Sequence, residues 1–309
     1  MKQINPSPIL SSNQSHHLHH TFYEPDGDAK ATLIIVHGMC EHSARYDAFA
    51  NHLAQQGIAV VTYDQLGHGK TAKTEKELGF FDANHPVQVL LKDVVIMAQT
   101  LEKRHPNASH FIMGHSMGSF IVRNLIKHHS TSFSGVILMG TADTNFLAKP
   151  LIPMFASLNK VAANSPSQWA ANTMNTQLNM QLKKSQRVSK YAWLCKNTQS
   201  RAAYESDPLC GFTFTNNGFL TLFSLMDSAL NNNWYHTLPK NYPLMLVSGK
   251  DDPVSQMGKG IKKLAKRLLK EGMTHVETNL YPNMRHEPLN EDEHMLVYQD
   301  IVNWILLNS

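Results

Sequence analysis

Ser109-His110-Phe111-Ile112-Met113-Gly114-His115-Ser116-Met117-Gly118-Ser119-Phe120-Ile121 decides the reading of this chain. An apolar run leads into Gly-x-Ser-x-Gly, and an apolar-periodic stretch follows as far as His129. Strand, tight turn and helix in that order form a nucleophile elbow, a turn whose flanks admit only glycine and which lifts the Ser116 hydroxyl above a sheet edge. Ser116 is therefore the candidate covalent nucleophile. The five-residue pattern alone is cheap, since a chain of this length produces about 0.1 such matches by chance at average glycine and serine usage. Its surroundings have to carry the assignment.

Upstream, Leu33-Ile34-Ile35-Val36 ends at His37-Gly38, and Ile58-Ala59-Val60-Val61-Thr62-Tyr63 ends at Asp64. Both read as buried parallel strands. Ala44 to Gln56 between them reads as a helix stopped by Gly57. Val87, Leu90, Leu91, Val94, Ala98 and Leu101 recur at helical spacing after Pro86, and Pro106 closes that segment. Downstream come three more strand-like runs, Val136 to Gly140, Leu244 to Gly249 and His275 to Tyr281, separated by helical patterns. Such alternation predicts an α/β fold with a mostly parallel central sheet and helices on both faces, its ligands gathering at the carboxyl ends of the strands.

The stretch from about 144 to 240 breaks the alternation. Its Met-, Gln- and Asn-rich helical patterns, with Leu151, Ile152, Met154, Phe155 and Leu158 and later Phe219 to Met226, fit an inserted helical lid. The expectation is a single domain over 1–309 carrying that insertion.

A serine hydroxyl is a poor nucleophile at neutral pH, so it needs a base, and the base needs an acid to fix its tautomer. In a fold of this kind the acid follows a late strand and the histidine follows the last one. Asp251 and Asp252 lie just past the strand ending at Gly249, and spacing does not choose between them. His286 lies just past the strand ending at Tyr281, and that position singles it out from 18 histidines. The oxyanion of a tetrahedral intermediate needs preorganised N–H donors. Met117, after the nucleophile, supplies one backbone N–H; Met39, in the loop after an early strand, supplies the other.

Composition narrows the classes. Hydrophobic residues make up 42% and charged ones 17% of 309 residues, as in globular proteins, and no run approaches the roughly 20 apolar residues a membrane span needs. A net charge of +4 gives no case for nucleic acid, while peripheral contact with an anionic membrane surface stays open. Three scattered cysteines, Cys40, Cys195 and Cys210, match neither a disulfide framework nor zinc-ligand spacing, and with no secretory signal at Met1-Lys2-Gln3-Ile4 they point to the cytoplasm. His16-His17-Leu18-His19-His20 has the look of a metal tract, yet it runs into Thr21-Phe22-Tyr23 as an early strand would. Cys40 adjoins a proposed oxyanion donor, and the reading for it is a buried, inert thiol.

Taken together, His37-Gly38-Met39-Cys40-Glu41-His42-Ser43-Ala44-Arg45-Tyr46, Asp64-Gln65-Leu66-Gly67-His68-Gly69, the elbow, Asp207-Pro208-Leu209-Cys210-Gly211-Phe212 and Arg285-His286-Glu287 resemble the monoacylglycerol lipase and lysophospholipase branch of the α/β-hydrolases. The resemblance runs from about residue 20 onward. It implies the α/β-hydrolase fold, a cofactor-free and metal-free serine esterase, and a lipid monoester as substrate. It also selects Asp252, which stands in the family's Gly-x-x-Asp-Pro pattern, and gives Glu41, His42, Arg45 and Tyr46 the task of holding the oxyanion loop. Leu66 and Thr71 depart from the usual Arg and Ser. Two rivals remain: amide hydrolysis in the manner of the fold's aminopeptidases, and a binding protein that has lost the chemistry. Dehalogenase chemistry would need Asp at position 116.

Overall fold

Strand runs that are apolar at every position need cover on both faces, and in the computed structural model they have it. The structure describes residues 2–4, 7–143, 148–231 and 234–309. The strands are β1 (Lys2–Ile4), β2 (Ile9–Leu10), β3 (His17–Leu18), β4 (His20–Glu24), β5 (Ala31–Val36), β6 (Ile58–Tyr63), β7 (Ser109–His115), β8 (Gly135–Met139), β9 (Leu244–Gly249) and β10 (Val276–Tyr281). Eight of them form one sheet in the order β1-β4-β6-β5-β7-β8-β9-β10, while β2 and β3 make a separate antiparallel pair. β1 and β4 run antiparallel to their neighbours, and the six strands from β6 to β10 are parallel.

Side chains alternate across the sheet, so each strand feeds two cores. Ile34, Val36, Ile112, Leu138 and Leu246 face one; Leu33, Ile35, Met113, Met139 and Val247 face the other. The first core is covered by α2 (Pro86–Arg104), α3 (Met117–His129) and α8 (Lys259–Lys270). The second is covered by α1 (Asp47–Gln55), through Phe49 and Leu53, and by α9 (His294–Leu307), through Val297, Ile301 and Trp304. Each such aliphatic side chain contributes roughly 1.5–3 kcal/mol on burial. The helix expected over 44–56 divides into a 3-10 turn, Ser43–Tyr46, which closes the loop after β5, and α1, which follows at once.

Register lines up the strand ends. Val36 pairs with Gly114, His115 with Met139, Met139 with Val247, and Gly249 with Tyr281. The loops after β5, β7, β9 and β10 therefore leave along one edge. At the turn after β7, a methyl on Gly118 would stand 2.0 Å from the Val36 carbonyl oxygen, and one on Gly114 would stand 2.4 Å from the Gly118 oxygen. Close approach of backbones is what demands glycine at both positions.

Between β8 and β9 the described residues hold α4 (Ala148–Ala162), α5 (Gln168–Met180), α6 (Thr198–Ser206) and α7 (Asn216–Asn231), joined by an isolated bridge from Pro166 to Thr215. Residues 144–147 and 232–233 of the expected lid lie outside the described residues. Phe155 of α4 anchors the insertion: it is fully buried, stacks on Trp169 and meets Phe219 and Phe223 of α7. The histidine tract forms β3 and the start of β4, with His20 buried. Among the described residues no helix is long and apolar enough to cross a membrane.

Candidate active site

Ser116 sits at φ 52°, ψ −117°, between the last residue of β7 and the first of α3. A non-glycine residue in that region is strained and persists only where the surroundings hold it. Here the Ser116 N–H donates to the Met139 carbonyl of the neighbouring strand, and its carbonyl accepts from the N–H and the hydroxyl of Ser119. The hydroxyl is thereby presented at the strand edge.

His286 and Asp252 meet there from the loops after β10 and β9. The Asp252 Oδ1 lies 3.1 Å from the His286 Nδ1, and both side chains are buried. Asp252 is itself fixed by the Val254 N–H and the Ser248 hydroxyl. The neighbouring Asp251 points away and pairs with Lys196. Trp193 and His115 flank the His286 ring, with centroids 5.1 and 4.9 Å away. Among the described residues no hydrogen bond joins the Ser116 hydroxyl to His286, but both line one cavity together with Met39 and Met117. The loop after β5 approaches the serine closely: a methyl on Gly38 would stand 3.1 Å from the Ser116 Cβ.

That loop is held by buried charge. Glu41 accepts from the Gly38 N–H at 2.6 Å, from the Tyr46 hydroxyl and from Arg45. Arg45 forks onto Glu287, the residue after His286, at 2.8 and 2.7 Å. His115 donates through Nε2 to the His286 carbonyl oxygen, and its Nδ1 lies 3.1 Å from Glu41. Burial alone would raise both glutamic acids, but the Arg45 guanidinium, together with His115, holds Glu41 well below and Glu287 below the ordinary value. Burial likewise opposes a charged His115, and the Glu41 carboxylate wins, raising it. Two carboxylates thus share one guanidinium beside the serine, with the His115 ring against Glu41. On the other side of the loop the Cys40 N–H donates to the His68 Nε2, and Cys40 is a free, buried thiol held well above its ordinary value by desolvation.

The cavity measures about 310 Å³. Met174, Leu178, Leu222, Phe223 and Met226, all from the inserted helices, form much of its wall, and Gln177, Gln181 and Lys190 add polar groups. An apolar hollow with a few polar atoms at the reacting end is what a ligand with one polar and one apolar half requires.

Comparison with known proteins agrees with this layout. The family model described as serine aminopeptidase, S33 (Hydrolase_4), matches residues 27–293. The chain belongs to that family. It is 23% identical to a monoacylglycerol lipase of Mycolicibacterium smegmatis, over 92% of this chain and 91% of that one. It is 30% identical to a monoglyceride lipase of Mus musculus, over 65% of this chain and 59% of that one. A lipase solved in an open form matches with a TM-score of 0.90 at 25% identity, covering 99% of both chains. The protein is an α/β-hydrolase of the monoglyceride lipase branch and a carboxylic ester hydrolase.

Within this hydrolase several site residues escape sequence reasoning. Glu287 stands 242 positions from its partner Arg45, so no local pattern exposes the pair. Trp193 lies in the insertion and reads as ordinary core. Glu291 accepts from the N–H groups of Arg285, Lys196 and Asn197, tying the His286 loop to the insertion. The signal in the sequence is the run Arg285-His286-Glu287, three charged or titratable residues in the loop after a strand.

Proposed function

We propose that this hydrolase cleaves lipid monoesters, monoacylglycerols or lysophospholipids, through an acyl-enzyme on Ser116. In this reading His286 takes the Ser116 proton as the hydroxyl attacks the ester carbonyl, and Asp252 keeps the ring oriented and stabilises its cation. The N–H groups of Met39 and Met117 receive the oxyanion, a contribution of a few kcal/mol per donor. His286 then protonates the leaving alcohol, and water, deprotonated by the same ring, releases the fatty acid. The contact from Ser116 to His286 tightens when substrate fills the cavity, as such contacts commonly do.

One observation carries the reading: a buried His286–Asp252 pair beside a serine held at positive φ, with Ser116 and His286 lining one apolar cavity. The relatives' names favour monoacylglycerol. The inserted segment acts as a lid in this reading, and its exposed Met154, Val161, Trp169, Met180 and Val188 support contact with a lipid surface. The family's aminopeptidase label favours amide cleavage, but a free α-amine needs an unpaired carboxylate, and both Glu41 and Glu287 are engaged by Arg45.

Ser116→Ala removes ester hydrolysis and labelling by a fluorophosphonate in this reading; turnover retained by that variant refutes it. In a series of esters of rising acyl length, kcat/KM climbs beyond short chains if the cavity takes an acyl tail. A flat or falling series refutes the lipid substrate, and cleavage of aminoacyl amides without ester cleavage transfers the assignment to the amide.

A further inference from the structure

The inserted segment and the oxyanion loop meet at a place the ester chemistry does not use. His42 follows Glu41 in the loop, and its Nε2 lies 2.8 Å from the Asp207 Oδ2. Cys210 joins them: the His42 ring nitrogen, an Asp207 oxygen and the Cys210 sulfur all lie within 4.8 Å of one another. In sequence the cluster is invisible, since 165 residues separate His42 from Asp207.

We propose that His42, Asp207 and Cys210 form a binding site for a borderline-soft divalent cation of the zinc type, which clasps the inserted helices to the oxyanion loop. The donor set is the mixed nitrogen, oxygen and sulfur set that zinc accepts, with bond lengths of about 2.0–2.3 Å. Ligand atoms around a tetrahedral ion stand about 3.3–3.6 Å apart, so small side-chain shifts within the observed 4.8 Å separation bring all three into range. The Leu209 N–H donates to the Asp207 Oδ1 at 2.8 Å and holds the carboxylate with its Oδ2 toward His42. His42 and Asp207 are half-buried and Cys210 buried, which leaves a solvent-side position for a water as fourth ligand.

The Asp207 carboxylate is the anion at the site itself, while Glu41 and Glu287, nearby, are paired with Arg45. Binding converts the thiol to a metal thiolate and releases its proton to solvent, with no change of oxidation state. The two segments are already in contact, for the Cys40 carbonyl accepts from the Gly211 N–H and from the Tyr204 hydroxyl. The ion would replace the direct His42–Asp207 contact with a three-ligand fastening at the same seam.

The test is titration of the full chain with Co²⁺, then displacement by Zn²⁺. One equivalent of cobalt should give a thiolate-to-metal absorption band, and zinc at a hundredfold excess over its Kd should raise Tm by roughly 5 °C. Cys210→Ser should abolish the band and the zinc-dependent shift while hydrolysis without metal continues. Asp207→Asn, which keeps the shape, should weaken both. Absence of a band, a band that survives Cys210→Ser, or cobalt spectra without thiolate character, as the histidines at 16–20 would give, each overturns the proposal. Because the spectral readout needs no turnover, its failure is separate from any failure of the esterase reading.

Discussion

The sheet scaffold and the inserted helices are built by opposite rules. Every residue of β5, β6, β8 and β9 is buried, and the loops after β5 and β10 are tied together by charge-assisted bonds. The insertion carries Pro153 inside α4, hangs partly on one aromatic cluster around Phe155, and exposes several large apolar side chains. Rigidity thus lies where reacting atoms must be held to fractions of an ångström, and adaptable surface where the proposed acyl chain would enter. If the contrast is sound, substitutions in the scaffold alter rate and stability, while those in the insertion alter which ester is chosen.

The largest effect is expected at Asp252. Asp252→Asn keeps the shape but favours the wrong tautomer of His286, and kcat should fall by about 10⁴ with Tm little changed. Steady-state kinetics beside a thermal melt checks this; a mild loss of rate would move the acid's role elsewhere.

Next comes the carboxylate clamp. Glu287→Gln leaves Arg45 with one buried partner and should cost about 3 kcal/mol of stability, measured by urea unfolding. The pH dependence follows from the two glutamates lying below their ordinary value in the folded chain. Their contribution is fully present above about pH 4.3, the unfolded value, and drains away as the pH falls through the folded one. His115 is raised, so its contribution is complete below about pH 6.5 and is lost as the pH climbs through its folded value. Glu287→Gln should therefore flatten the acid limb of a stability profile and leave the insertion's own contacts untouched.

A smaller effect belongs to the insertion. Met174→Trp narrows the cavity and should lower kcat/KM for long-chain esters about tenfold while sparing short ones. Equal loss at every chain length would place Met174 in the chemistry and blur the contrast. The smallest belongs to Lys196, whose partly exposed pair with Asp251 links insertion to scaffold. Lys196→Ala should change stability by less than about 1 kcal/mol.

The scaffold was legible in the sequence because uninterrupted runs such as Leu33 to Val36 and Leu244 to Gly249 can exist only as strands covered on both faces. Ser116 and His286 were legible because strand ends fix where loops begin. Asp252 was separated from Asp251 only by a family pattern, for neighbouring aspartates share every local property; the structure distinguishes them by direction, one inward to His286 and one outward to Lys196. β1 escaped notice because three residues with no apolar pattern form a strand only when β4 offers an edge. Arg45 with Glu287, and His42 with Asp207, escaped for a general reason: a charge has no periodicity, and its partner lies 242 positions away in one case and 165 in the other.

The fork of Arg45 onto Glu287 has a temporal meaning as well. A ribosome delivers the loop after β5 long before it delivers the residue beyond β10, and domains generally complete their packing as the last elements emerge. Until then the guanidinium lacks half of its counter-charge and the serine lacks its imidazole. On the proposed mechanism the nascent polypeptide therefore cannot cleave an ester until the segment beyond β10 has emerged and packed.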